Sequence, residues 1–146
     1  MIALAEVVSA LDAELRTSEI PEYVGALNGL QVANNGRVTR VAVAVDASMA
    51  AIAEAAILQA NLLVVHHGLF WSGAQPLVGP RYQKFRTLID NNIAVYSTHL
   101  PLDAHATLGN NVRLAVALGL TPNAGFGRYK SVDIALAGTC DELSGS

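Results

Sequence analysis

Leu62-Leu63-Val64-Val65-His66-His67-Gly68 decides how the chain folds: four apolar residues without interruption, then two imidazoles and a glycine. A short run with no polar residue is the pattern of a strand buried on both faces of a parallel sheet, because both sides of its pleat meet hydrophobic layers. Upstream, valines alternate with small or polar residues from Val38 through Val45 and stop at Asp46, a second strand. Between the two, Ser48 is placed to cap an Ala-rich helix over residues 49–60. Downstream, a loop through Gly73, Pro76, Gly79 and Pro80 leads to Tyr82, Phe85, Leu88 and Ile89 on one helix face, and Ile93 to Ser97 makes the next strand.

The outer parts of the chain extend this alternation. Leu4, Val7, Val8, Leu11 and Leu15 fall on one stripe of an opening helix. Asn110 is placed to cap a last helix carrying Val112, Ala115 and Val116, which stops near Gly119 with Pro122 soon after. A helix followed by three strand–helix pairs predicts an α/β fold: a layered, mostly parallel sheet flanked by helices, in a single domain over residues 1–146. From Gly125 the pattern weakens. Val132 to Ala137 begins a further strand, and the sequence ends in Leu143-Ser144-Gly145-Ser146, so the domain reads as incomplete.

Composition agrees with a folded domain. A chain that is 52% hydrophobic and 14% charged, with mean hydropathy +0.38, is too apolar and too weakly charged for disorder. Nine Lys and Arg against twelve Asp and Glu give a net charge of −3 and no basic run, which excludes nucleic acid as a first partner. No stretch approaches the ~20 apolar residues that span a bilayer, so no membrane partner is expected. Glu6 and Asp12 stand where a signal peptide would be basic and then apolar, and the expected location is cytoplasmic. The single cysteine, Cys140, rules out an internal disulfide and reads as incidental.

Ligands of open α/β sheets bind beyond the carboxyl ends of the strands. Here those ends carry Asp46, His66-His67 and His99, with Asp103 and His105 close behind. Imidazole with carboxylate suits Zn, Mn, Fe or Ni and not calcium. Adjacent side chains on a strand point to opposite faces, so either the chain bends at Gly68 to bring both histidines to one ion, or each serves its own metal with Asp103 bridging; the second needs less distortion. The plain alternative is a pair of core histidines hydrogen-bonded to loop carbonyls, and both readings stay open. Pro101 disfavours a helical Leu100, so a turn is expected to bring His99 and Asp103 together. Asp46 reads most economically as a helix cap, and Asn28-Gly29-Leu30-Gln31-Val32 as a tight turn with a short strand. Phe70 and Trp71 serve equally as pocket walls or as core and subunit contacts. Gly125-Phe126-Gly127-Arg128-Tyr129-Lys130-Ser131 lacks P-loop spacing, no dinucleotide fingerprint follows a strand, and no nucleophile elbow is present.

Three blocks together resemble the Nif-three-like family, whose bacterial members are often labelled GTP cyclohydrolase 1 type 2 homologues. They are Asn28-Gly29-Leu30-Gln31-Val32, Val64-Val65-His66-His67-Gly68-Leu69-Phe70-Trp71, and His99-Leu100-Pro101-Leu102-Asp103-Ala104-His105 continuing to Leu108-Gly109-Asn110-Asn111. The resemblance implies a centre of two divalent metal ions with His66, His67 and Asp103 as ligands and His99 as a site histidine; if two such ions activate water for hydrolysis, His99 is the expected proton shuttle. It further implies metal-dependent hydrolysis of a small-molecule substrate such as a nucleotide or another heterocycle, in a homo-oligomer that is hexameric in the family. It extends to about Leu120. The family's C-terminal half, which supplies a further histidine and a glutamate, has no counterpart here, which implies an incomplete ligand set and equally admits a non-catalytic metal-binding scaffold or an inactive fragment.

Overall fold

In the computed structural model, which describes all residues except Ser72, Ala74 and 141–146, the chain opens with β1 (Ile2–Ala3), α1 (Leu4–Leu15), β2 (Gly29–Val32), β3 (Arg37–Val38) and β4 (Val41–Asp46). It continues with α2 (Met49–Ile57), β5 (Leu62–His67), α3 (Gly79–Asp90), β6 (Ala94–Ser97), α4 (Leu100–Asp103), α5 (Asn110–Ala117), β7 (Thr121–Tyr129) and β8 (Val132–Thr139). The terminal Leu143 to Ser146 lie outside the described residues. Two compact units are present among the described residues: Met1–Thr17 with Tyr23–His99, and Ser18–Glu22 with the described chain after His99.

The first unit is the expected α/β layer structure. Its four-stranded sheet has the order β2-β6-β5-β4, with β4, β5 and β6 parallel and Val43, Val64 and Tyr96 in register across them. Two features depart from the sequence reading. The Asn28–Val32 block does more than make the turn and short strand read from the sequence, because β2 pairs antiparallel with β6 and forms the sheet edge. The alternating run from Val38 is not one strand either. Asn61 Oδ1 accepts from Thr39 N (3.0 Å) and Arg40 N (3.2 Å), which withdraws both amides from any ladder, so β3 pairs with β1 and the sheet strand starts at Val41.

Alternation along the strands sorts the core. Leu63, Val65 and Val95 point to the face covered by α2 and α3, where they pack with Ile52, Ala55, Leu88 and Ile93. Fully burying each large member of this cluster is worth about 1.5–3 kcal/mol. Ser48 caps α2 as expected, its Oγ accepting from Ala51 N at 3.1 Å. On the opposite face, Tyr96 is completely buried and its hydroxyl donates to Asp12 Oδ1 on α1 at 2.7 Å, while Thr17 Oγ1 donates to the same oxygen at 2.9 Å. Burial, reinforced by the Asp12 carboxylate and opposed by the Thr17 contact, holds the Tyr96 phenol above tyrosine's ordinary value.

The second unit contains α4, α5 and the antiparallel β7–β8 hairpin. The strand begun at Val132 is present, and its partner β7 absorbs the Gly125–Tyr129 stretch. Pro101 does not prevent a helix: α4 is a single helical turn beginning at Leu100, and proline is tolerated in a first turn, where its missing N–H would have had no helical acceptor. Asn110 is the first residue of α5 and not its cap. Gly109 holds the cap position, and the Asn110 amide donates to Asp103 Oδ1 at 2.9 Å instead. A Cβ at Gly109 would press into the carbonyl oxygens of Leu102, Asp103 and His105, so only glycine lets α5 start so close to α4.

Candidate metal centre

β5 and β6 run parallel, so their carboxyl ends reach the same edge of the sheet. The last ladder partners are Val65 and Ser97; beyond them Thr98 N donates to Val65 O at 2.9 Å and the chain reaches His99. His66, His67 and His99 meet at this edge. Their ring centroids are 4.6 Å apart for His66 and His67, 4.9 Å for His66 and His99, and 5.7 Å for His67 and His99. One ligand atom from each lies within 4.8 Å of the others, so the three imidazoles are able to hold a metal ion. Strand alternation alone would send His66 and His67 apart, but at the end of β5 the two rings converge.

Two of the imidazoles have their tautomers set by their neighbours. His66 Nδ1 lies 2.9 Å from Thr98 O, and since a carbonyl only accepts, this nitrogen carries the proton and the lone pair resides on Nε2. His67 Nδ1 lies 2.7 Å from Asp46 Oδ1, which directs its tautomer the same way. A metal-ligating histidine commonly donates its second ring N–H to a carbonyl or a carboxylate in this manner. The His67 and Asp46 side chains are 40% and 63% exposed, and an ion pair so open to water adds little stability. Its effect is to orient the ring. Asp46 is therefore not the helix cap of the sequence reading; Ser48 caps α2 and Asp46 is spent on His67.

The loops bearing the histidines are fastened by the Asn28–Val32 block. Asn28 Oδ1 accepts from His99 N at 2.8 Å, and Gln31 Oε1 accepts from Leu69 N at 2.7 Å, just past the paired histidines. Gln31 Nε2 donates to Leu27 O at 2.6 Å. Gly68 makes this possible, because a Cβ there would occupy the space of the Gln31 amide. Asn28 and Gln31 escaped the sequence reading as positioning residues. The signal for them was two side-chain amides in one five-residue block, Asn28 just before β2 and Gln31 within it.

Aromatic residues divide between two tasks. Trp71 stands edge-on to His99 at 4.5 Å and 5.4 Å from His67, and with Asp46, His67 and His99 it lines an open cavity of about 460 Å³. Phe70 turns away to Phe85 at 5.8 Å, against the core. Asp103 and His105 belong to the second unit. The Asp103 carboxylate accepts from Asn110, as described, and His105 Nδ1 accepts from Thr107 N (3.2 Å) and Leu108 N (3.1 Å), so this histidine stabilises the loop that follows α4. Cys140 is exposed. Among the described residues no helix is long and apolar enough to cross a membrane.

Comparison with known proteins places these features in context. The Duf34/NIF3 (NGG1p interacting factor 3) family matches residues 2–144, beyond the Leu120 limit of the sequence resemblance. A protein of Treponema pallidum named GTP cyclohydrolase 1 type 2 homolog is 48% identical over 118 residues, 80% of this chain and 41% of that protein. A protein of Deinococcus radiodurans with the same name is 41% identical over 134 residues, 92% of this chain and 50% of its own length. The crystal structure of TTHA1606 from Thermus thermophilus superposes with a TM-score of 0.82 at 40% identity, covering 91% of this chain and 53% of that one. The chain thus spans about half the length of the curated relatives it matches.

Proposed function

The chain belongs to the Duf34/NIF3 family, and on that premise we propose that it is a metal-dependent hydrolase of a small heterocyclic or nucleotide substrate. The carrying observation is the convergence of His66, His67 and His99, the latter two lining an open cavity, with the Nδ1 protons of His66 and His67 directed to Thr98 O and Asp46. The relatives' name, GTP cyclohydrolase 1 type 2 homolog, supports the substrate class. The proposed cofactor is a pair of divalent transition-metal ions, Zn, Fe, Mn or Ni. A neutral imidazole with its proton fixed on Nδ1 suits such ions. When bound, they supply Lewis acidity toward water and toward the bond to be cleaved.

In this reading the chain's own residues do the positioning. His66 and His67 would hold the metal through Nε2, and Asp46 fixes the orientation of the His67 ring. His99 moves the proton from the attacking water to the leaving nitrogen, and Trp71 offers a flat face to a heterocycle while shielding the histidines from bulk water. Asp103 is the proposed carboxylate ligand. A homo-oligomeric state and cytoplasmic residence belong to the same proposal.

Elemental analysis of untagged protein tests it first. Metal close to two ions per chain is expected, and its loss in His66→Ala/His67→Ala with the far-UV spectrum unchanged. His99→Ala is expected to keep the metal and lose hydrolysis of nucleotides and cyclic amides; metal loss equal to that of the double variant would make His99 a ligand and not the proton carrier. Asp103→Asn is expected to lower metal content. Metal binding without turnover on any such substrate would leave a metal-binding scaffold as the function.

A further inference from the structure

A second cavity of about 260 Å³, lined by Gly68, Trp71, Arg81, Lys84 and Phe85 among others, shares Gly68 and Trp71 with the surroundings of the histidine cluster. Its charge is unusual. Arg81 and Lys84 are part-buried, three residues apart on the first turns of α3, and among the described residues neither pairs with a carboxylate. Lys84 Nζ donates to Ala47 O at 2.8 Å, and Arg81 Nη1 donates to Leu69 O at 3.2 Å. The guanidinium carbon of Arg81 lies 5.4 Å from the ring centroids of both Phe70 and Phe85, which fixes the side chain in place. Its Nε is buried with no hydrogen-bond partner among the described residues.

Holding a backbone carbonyl needs a donor, not a charge, and withdrawing two cations from water without a counter-ion is unfavourable. The placement compounds the cost. The amino end of a helix carries partial positive charge and ordinarily attracts acidic side chains, yet α3 has no acidic residue in its first turn and no side-chain cap at Val78. The two cations and the helix end favour the same missing partner, an anion.

We propose that this cavity is an anion subsite that takes a phosphate group, and that it receives the phosphate of the ligand whose reacting part lies at the histidine cluster. The second clause rests on the function proposed above; the first does not. Arg81 is preorganised by its two aromatic neighbours, so little freedom is lost when an oxyanion arrives. Trp71, common to both cavities, is positioned for a planar group joining phosphate to reaction centre.

Trp71 is also the chain's single tryptophan, so its fluorescence reports on the site. The 146-residue protein, with chelator present to keep the metal site out of the measurement, is titrated with inorganic phosphate and followed by that fluorescence and by phosphorus NMR line width. Saturable binding is expected. Lys84→Gln should weaken it about 10-fold and Lys84→Arg should restore it to within about threefold. Arg86→Gln, which removes an exposed cation paired with Asp90 on the same helix, should leave it unchanged. Absence of saturation in folded wild-type protein, or an equal loss in the Arg86 and Lys84 variants, would overturn the subsite. Adenosine monophosphate binding more tightly than both phosphate and adenosine supports the shared ligand; equal affinity of the monophosphate and phosphate would overturn that clause alone. Because the readout is metal-free, its failure is distinguishable from failure of the metal centre.

Discussion

The two ends of β5 are both polar, and they use polarity in opposite ways. At the start, Asn61 spends its groups on fixed structural neighbours: its side-chain oxygen takes the amides of Thr39 and Arg40, its amide nitrogen donates to Thr39 Oγ1 at 3.0 Å, and its carbonyl accepts from the Asn34 side chain and from Ala94 N. At the finish, His66 and His67 each commit one ring nitrogen to a neighbour and bring their rings to a third imidazole. A polar residue consumed by local backbone is structure. One whose neighbours set its protonation and direction while it faces a cavity is equipped for chemistry.

The sharpest way to break that comparison is to remove each end in turn. His66→Ala/His67→Ala is expected to abolish metal uptake, read by elemental analysis, while the thermal midpoint of the metal-free protein moves little. Asn61→Ala should do the reverse. Thr39 and Arg40 are exposed, so water takes over their amides and the loss is that of net hydrogen bonds, about 0.5–1.5 kcal/mol, visible in urea unfolding, and metal content per folded chain stays the same. If the histidine pair instead proves to be the stabilising end, the distinction between the two ends collapses.

Smaller effects sharpen it further. Asp46→Asn leaves the fold intact and is expected to weaken metal binding about 10- to 100-fold, the usual consequence of losing a partner behind a ligating histidine; a competition titration against a chelator measures it. Tyr96 gives the smallest signal, at high pH. Its phenol keeps its proton in the folded state over a range in which the unfolded tyrosine has lost it, so the associated stability is whole below tyrosine's ordinary value near ~10 and declines as pH rises past it. Tyr96→Phe should flatten that decline in urea unfolding midpoints measured across alkaline pH.

Much of the first unit was legible because its order is local. The apolar run of β5, the alanines of α2 and the chain order of strands and helices each follow from neighbouring residues, and parallel pairing then brings His66, His67 and His99 to one edge. What escaped depends on distant partners. No periodicity announces that β2 will pair with β6, that Asn61 will interrupt the valine run, or that Asp46 will face His67. The β7–β8 hairpin was half hidden because glycines and Pro122 blur the alternation that marked β8. The approach of the paired histidines ran against strand alternation, which weakens where the ladder ends. Both the residue chemistry and the resemblance make Asp103 an expected metal ligand, and its own unit shows what the sequence could not, its hydrogen bond from Asn110.

Gly68 and Gln31, thirty-seven positions apart by their numbering, share one volume and one hydrogen bond. Any side chain at Gly68 displaces the Gln31 amide and strands the Leu69 N–H, so the penalty is the one Gln31→Ala already incurs. The two changes are therefore not additive: the double variant should be scarcely worse than either single. In the history of such a sequence the order of events matters. Position 68 is closed to substitution while residue 31 keeps its amide, and opens once that amide is gone, so two sites that look independent along the chain are expected to change together or not at all.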